Sequence, residues 1–318
     1  MRKVKIFLLI IAMVLLTGCG IQEVKTEKLS IVCTTYPQYN WLEQILGKDN
    51  SSFQLTLLLD NGVDMHSYQP TAKDMMMVSS ADLFVYIGGE SDNWTKDAIK
   101  EAVNKDMLTI NLMNALGDRI KTEEMVEGMQ GEEEEEPEND EHIWLSLKNA
   151  MHLTTVLSDA VQKLDSANAK IYQDNTKAYL EKLSNLDKQY EQMVKNAKLD
   201  TIIVGDRFPF RYLVDDYQIH YYAAFVGCSA ETEASFETIT FLASKVDETN
   251  ASSILAIDGS DEKIAKTIKE NTKSKNQKIL KLNSMQAVKT EQMENGFTYL
   301  KGMEENLTVL KEALEEGN

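Results

Sequence analysis

The sequence predicts an α/β protein of two lobes, each built on a parallel sheet, joined by one long rigid α-helix. Three observations carry that reading. Strand-like and helix-like segments alternate through both halves of the chain, the pattern of parallel sheets with helices on both faces. Residues 166–198 contain neither glycine nor proline. Their larger apolar side chains, Tyr172, Tyr179, Leu183, Leu186, Tyr190, Met193 and Ala197, recur at threes and fours on one helical face. The length of 318 residues, 43% of them hydrophobic, is enough for two domains with a sizeable core.

The long helix is the organising element. At 1.5 Å per residue it would run on the order of 50 Å, more than one small domain needs. Its apolar face is too narrow and too short in heptads for a coiled coil, so it reads as a strut between lobes. Asp165 or Ser166 is placed to cap its start, and the strand-like 201–204 ends it.

In chain order, the first segment is a leader. Arg2, Lys3 and Lys5 form a basic start, and the apolar run 6–16 is too short to cross a bilayer and stay there. Leu16-Thr17-Gly18-Cys19 follows at once and resembles a bacterial lipobox. Residues 1–18 are therefore expected to be cleaved as a lipoprotein signal peptide. Cys19 is then expected to be acylated, holding the chain to the lipid bilayer on its extracytoplasmic face. Residues 19–28 read as a tether.

The N-terminal lobe, 29–147, has a strand at 29–32, a helix over 39–46 and a buried strand at 53–59. A helix at 70–79, a strand at 81–87, a helix at 94–104 and a strand at 108–111 follow. Residues 117–141 carry little apolar content and include the run Glu132 to Glu136, so they read as a solvated, disordered loop. A helix at 147–164 leads into the strut, the two making a linking region over 148–199. The C-terminal lobe, 200–318, repeats the alternation. Its strands fall at 201–204, 219–225, 253–257 and 278–282, and its helices at 209–217, 235–249, 262–271 and near 296–315.

A formal net charge of −18 sets aside nucleic acid as a partner and suits the attraction of cations. Besides Cys19 there are two cysteines, Cys33 and Cys228. Three readings stay open for them: free buried thiols, a bridge between the lobes, or Cys228 as a soft metal ligand.

The candidate ligands lie where ordered segments end, the place where α/β folds hold ligand-binding groups. His66 stands in the loop after strand 53–59, within Asp64-Met65-His66-Ser67-Tyr68-Gln69-Pro70. His142 stands between the acidic loop and a helix, in His142-Ile143-Trp144-Leu145. The second lobe offers Asp206 at the end of strand 201–204, and Asp258 with Asp261 after strand 253–257. Two neutral imidazoles and two carboxylates would neutralise a divalent cation and fill its shell. Each aspartate has a competing reading, a turn and salt bridge with Arg207 for Asp206 and helix capping for Asp258 or Asp261. His152 reads as helix surface or core, and His220, alternating with apolar neighbours on a strand, as structural. No His-Glu-x-x-His motif is present, so a zinc hydrolase is the weaker rival.

Together these motifs, Phe210-Arg211-Tyr212-Leu213 and the long helix resemble the metal-binding lipoproteins of ABC-type zinc and manganese importers, the so-called adhesins. The resemblance implies two Rossmann-like lobes with the metal site in the interlobe cleft, a rigid helix that limits closure, and no catalysis. It also implies a monomer that delivers a divalent transition metal to a membrane permease, with surface adhesion as the alternative role. It carries ligand roles onto His66 and His142, a third ligand before the Phe-x-Tyr element, and an acidic one at a later strand end. Three departures stand out. Met65 replaces the family's usual proline, which should loosen the loop. Arg207 falls at the third ligand position, leaving Asp206 as the substitute. The loop that is His-rich in zinc relatives is Glu-rich here. Imidazoles suit zinc while carboxylates leave room for manganese or iron; the long polyanionic loop tips the expectation to zinc. The run from Gly227 to Ser235 resembles the loop that rims the family's site, which would put Glu231 and Cys228 behind the ligands.

Overall fold

The computed structural model describes residues 28–131, 138–229 and 233–315. The expected leader, the acylated Cys19, the run Glu132 to Glu136 and Glu231 lie outside them. The first lobe runs β1 (Leu29–Cys33), α1 (Tyr36–Leu46), β2 (Phe53–Leu57), α2 (Ala72–Ser79), β3 (Leu83–Tyr86), α3 (Thr95–Lys100), β4 (Leu108–Asn111) and α4 (Leu112–Leu116). Two linking helices follow, α5 (Leu147–Leu164) and α6 (Ala169–Asn196). The second lobe runs β5 (Thr201–Phe208), α7 (Arg211–Tyr217), β6 (His220–Val226), α8 (Phe236–Thr249), β7 (Ser253–Ile257), α9 (Lys263–Asn271), β8 (Lys278–Leu282), α10 (Thr290–Glu294) and α11 (Tyr299–Ala313).

Both sheets are four-stranded and parallel throughout, in the orders β2-β1-β3-β4 and β6-β5-β7-β8. The two lobes therefore share one connectivity, although their sequences show no repeat. In each, strand order reverses beside the first strand, and the loops at the carboxyl ends there diverge and leave a crevice. The inner strands are apolar on both faces, as parallel strands covered by helices must be. Ile31, Val32, Cys33, Leu83, Phe84 and Val85 are all buried, and so is every residue of β7.

Helix α6 is the predicted strut, 28 residues or about 42 Å long. Its stripe of Tyr172, Tyr179, Leu183, Leu186, Tyr190 and Met193 is buried. It reaches both lobes: Asn175 donates to the Ile45 carbonyl at 3.0 Å, and the Tyr190 hydroxyl donates to the Met303 carbonyl. Tyr190 also stacks on Tyr217, with ring centroids 4.8 Å apart. Tyr172 and Tyr190 thus bury a ring and give the hydroxyl a partner, while the buried Tyr179 hydroxyl has none among the described residues. The expected cap is absent. A 3-10 turn, Ser166–Asn168, precedes the helix, and Asp165 accepts instead from Asn168 and from the Tyr172 hydroxyl, which fixes that ring.

The strut is not the only tie. Trp144 donates to the Ser284 carbonyl at 2.8 Å, Tyr299 donates to the Trp144 carbonyl at 2.6 Å, and Tyr36 donates to the Phe297 carbonyl at 2.8 Å. All three pairs join residues of different lobes, and one apolar core runs through both.

Two expectations are corrected. Strand β5 continues past Val204 to Phe208, through a register shift between Val204 and Arg207 against β6, so Asp206 sits inside a bulged strand. The acidic loop is anchored over its described residues. Thr122 bridges Asn139, and Gln130 donates to the Ala224 carbonyl at 2.9 Å along the edge strand β6. Ile120, Val126 and Met129, few as they are, pack against the core and hold it down.

Truncating Leu183, fully buried in the strut, to alanine should lower unfolding free energy by about 2–5 kcal/mol. Ile171→Ala, on the same helix but 53% exposed, should stay within about 0.5 kcal/mol. Urea unfolding of both variants checks the pair.

Candidate metal centre

His66 rides on a 3-10 turn, Met65–Ser67, that follows the left-handed pair Asn61 and Gly62. Asp64 caps the turn by accepting the His66 amide N–H at 3.0 Å, and Met65 is buried beneath it. Met65, at the position of the family's usual proline, packs its side chain into the core under the turn. His66 Nδ1 lies 3.0 Å from Ser91 Oγ, and the Ser91 amide donates to Glu141 Oε1 at 2.9 Å.

His142 is fully buried, ahead of the buried 3-10 turn Ile143–Leu145. Its backbone N–H and its Nδ1 both engage Asp140 Oδ1, at 2.7 and 2.9 Å. A carboxylate there fixes the proton on Nδ1 and turns the Nε2 lone pair inward. The two Nε2 atoms stand 3.2 Å apart. Gln286, 4% exposed, places its amide nitrogen 3.1 Å from His66 Nε2 and 2.6 Å from His142 Nε2. Its Oε1 is buried and has no hydrogen-bond partner among the described residues.

Cys228 enters from the loop after β6. The donor atoms of His66, His142 and Cys228 all lie within 4.8 Å of one another. Gly227 lets that loop approach: a Cβ there would stand 3.0 Å from His142 Cε1 and 3.0 Å from the Phe208 carbonyl. The Cys228 amide donates to Glu123 Oε1 at 2.9 Å, so the acidic segment also holds this loop.

Burial, then the neighbouring His142, depresses the His66 imidazole to about 3, so it stays neutral. Burial raises Glu141, whose Oε2 lies 3.9 Å from His66 Nδ1. Burial also lifts Asp92 to about 7, against the donor Gly88 amide.

The structure brings together the two predicted histidines and does not bring the predicted aspartates to them. Among the described residues, the cluster of potential ligands is His66, His142 and Cys228. Asp206 lies within β5 and accepts from the amides of Arg207 and Ile257, while Arg207 pairs with Asp64 at 3.2 Å, so neither the ligand role nor a salt bridge with Arg207 is seen for Asp206. Asp258 accepts from the Ser284 amide at 2.6 Å and so braces the segment carrying Gln286. Asp261 is exposed and accepts from the Lys263 amide at the start of α9, a capping role. Cys33 and Cys228 are free thiols, and Cys33 donates to the Thr56 carbonyl inside the first sheet, which removes the interlobe bridge. His152 contacts the Ala115 carbonyl, tying α5 to α4. His220 is exposed at the start of β6, outside the core. Gln286, Asp140, Ser91 and Glu141 were not among the expected site residues. The strand-end rule, applied to β8, leads to residues 283–286, but an amide is not a residue type that a search for metal ligands collects.

The chain matches the family model of the zinc-uptake complex component A, periplasmic, over residues 31–313. It is 28% identical to the zinc-binding lipoprotein AdcA of Streptococcus pneumoniae across 99% of its own length and 62% of that protein's, so it spans about three fifths of that relative. It is 28% identical to the high-affinity zinc uptake system protein ZnuA of Bacillus subtilis, with 93% and 90% covered. The Zn(II)-bound ZnuA-like domain of the pneumococcal AdcA superposes with a TM-score of 0.72 at 27% identity, covering 91% of this chain and all of that one. The laminin-binding adhesin Lmb of Streptococcus agalactiae, at 22% identity and a TM-score of 0.71 over 90% of this chain and all of that one, shares the fold. The match over 31–313 assigns the chain to the family of the periplasmic zinc-uptake component A.

Proposed function

We propose that this chain is an extracytoplasmic lipoprotein, acylated at Cys19, that captures zinc as a monomer and delivers it to the permease of an ABC importer. His66 and His142 are its anchoring ligands. One observation carries the reading: two imidazoles from separate loops turn their Nε2 atoms to one point, 3.2 Å apart, with their outer nitrogens held by Ser91 and Asp140. Such a pair is built for a cation between them. The zinc-binding names of AdcA and ZnuA support the choice of cargo. The donor set supports it too, since the carboxylates that manganese would call for are engaged elsewhere.

Saturating zinc, at 100 times its dissociation constant, should add about 2.7 kcal/mol and raise the melting temperature by roughly 5 °C or more. His66→Ala and His142→Ala should each abolish that rise, while His220→Ala keeps it. Differential scanning calorimetry decides the point, and loss of the rise in the His220 variant alone would overturn the site.

The depressed His66 imidazole also fixes a pH dependence. Its folded value of about 3 lies below the unfolded value of about 6.5, so the folded chain holds fewer protons across that window. In chelator, His66 therefore stabilises the fold above about pH 6.5, and the contribution is lost as pH falls toward 3. Asp92, raised to about 7, acts with opposite sign, so the readout is variant minus wild type. His66→Gln should show a shallower acid loss than wild type in urea unfolding at several pH values.

A further inference from the structure

We propose that Cys228, as a thiolate, is the third ligand and the Gln286 amide oxygen the fourth, a donor set that selects thiophilic cations over oxygen-preferring ones such as manganese. The inference rests on the metal-capture reading above and names the class of cation that the site takes.

The first support is position. Cys228 Sγ shares with the two imidazoles a cluster in which every donor lies within 4.8 Å of the others, and Gly227 makes the approach possible. The loop is held from two sides, by Glu123 accepting the Cys228 amide and by Arg207 donating to the Ser229 carbonyl at 3.4 Å. The same guanidinium pairs with Asp64, the residue that caps the His66 turn. Arg207 therefore clasps the His66 turn to the Cys228 loop. It stands where the resemblance placed a third ligand, and the thiol next to it supplies the donor that Arg207 cannot.

The second support is Gln286. Its amide nitrogen lies 3.1 Å from His66 Nε2 and 2.6 Å from His142 Nε2, while Oε1 is buried without a partner among the described residues. A half-turn of the amide exchanges oxygen for nitrogen at the same place. With a cation between the imidazoles the NH2 has nothing to donate to, and the orphaned oxygen becomes a ligand. The resulting set is two neutral imidazoles, one thiolate and one neutral amide. On binding, the Cys228 S–H bond breaks, the sulfur forms a bond to the cation, and the proton leaves to solvent; nothing is oxidised or reduced. Thiolate and imidazole favour zinc, cadmium and copper, whereas manganese favours carboxylate, carbonyl and water.

Cobalt(II) added to the chelator-treated full chain in detergent tests this. Wild type should show visible ligand-field bands of a tetrahedral ion together with a near-ultraviolet sulfur-to-cobalt charge-transfer band. Cys228→Ser should lose the charge-transfer band and keep ligand-field absorption, and manganese should fail to displace cobalt from wild type. His66→Ala should lose both sets of bands. Ligand-field bands without charge transfer in wild type, or charge transfer that survives in Cys228→Ser, would overturn the thiolate assignment while leaving metal capture standing. Absence of any cobalt or zinc binding would overturn both. Urea unfolding of metal-free Cys228→Ser, expected to match wild type within about 0.5 kcal/mol, separates a lost ligand from a lost fold.

Discussion

Two lone pairs pointed at each other across 3.2 Å in a buried pocket form the constraint on which the rest of this structure depends. Two acceptors so placed repel, and burial removes the water that would relieve them. Something must sit between them, either a donor or a cation. The Gln286 amide nitrogen lies within hydrogen-bond reach of both, 3.1 Å from His66 Nε2 and 2.6 Å from His142 Nε2. The amide oxygen is buried without a partner among the described residues. The tension is held in place from behind. Asp140 pins one ring, and Ser91, itself fixed by Glu141, meets the other.

That pinning needs a rigid frame, and the frame is more than the strut. The sheets share one connectivity, and loops of the two lobes meet where Gln286 contacts His142 and Arg207 pairs with Asp64. Trp144, two residues after His142, donates into the Ser284 carbonyl and accepts from Tyr299, which binds the His142 segment to the segment bearing Gln286. Four groups drawn from separate loops are thereby referenced to one continuous core.

Much of this was legible in sequence. Both parallel sheets, the strut and the two histidines follow from apolar periodicity and from where ordered segments end; β4, α5, β7 and β8 begin and end as expected. The acidic ligands were misread for identifiable reasons. Gly205 and Asp206 break the apolar run and so point to a strand end at Asp206, yet the backbone continues through a bulge to Phe208. Asp258 and Asp261 present carboxylates at the right end of β7, but nearby amides claim them, and local pairing outcompetes a distant ion. Gln286 and the anchoring of the acidic loop depend on contacts far apart in the chain, which a one-dimensional pattern does not carry. Ile120, Val126 and Met129 are too sparse to read as a docking face, although three such side chains suffice once β6 offers an unpaired edge.

The charge balance around the site follows from the same placements. A guanidinium next to a cation site raises the free energy of the bound ion, so Arg207 is tolerable only if its charge is met locally. Asp64 meets it at 3.2 Å, and the same carboxylate caps the turn that aims His66. Asp140 and Glu141 add negative charge behind the rings, and Glu123 adds it behind the Cys228 loop. The acidic stretch therefore acts through its ordered residues as the electrostatic back wall of the pocket. A residue that is foreign to cation binding, Arg207, is thus converted by one ion pair into the clasp that ties the His66 turn to the Cys228 loop.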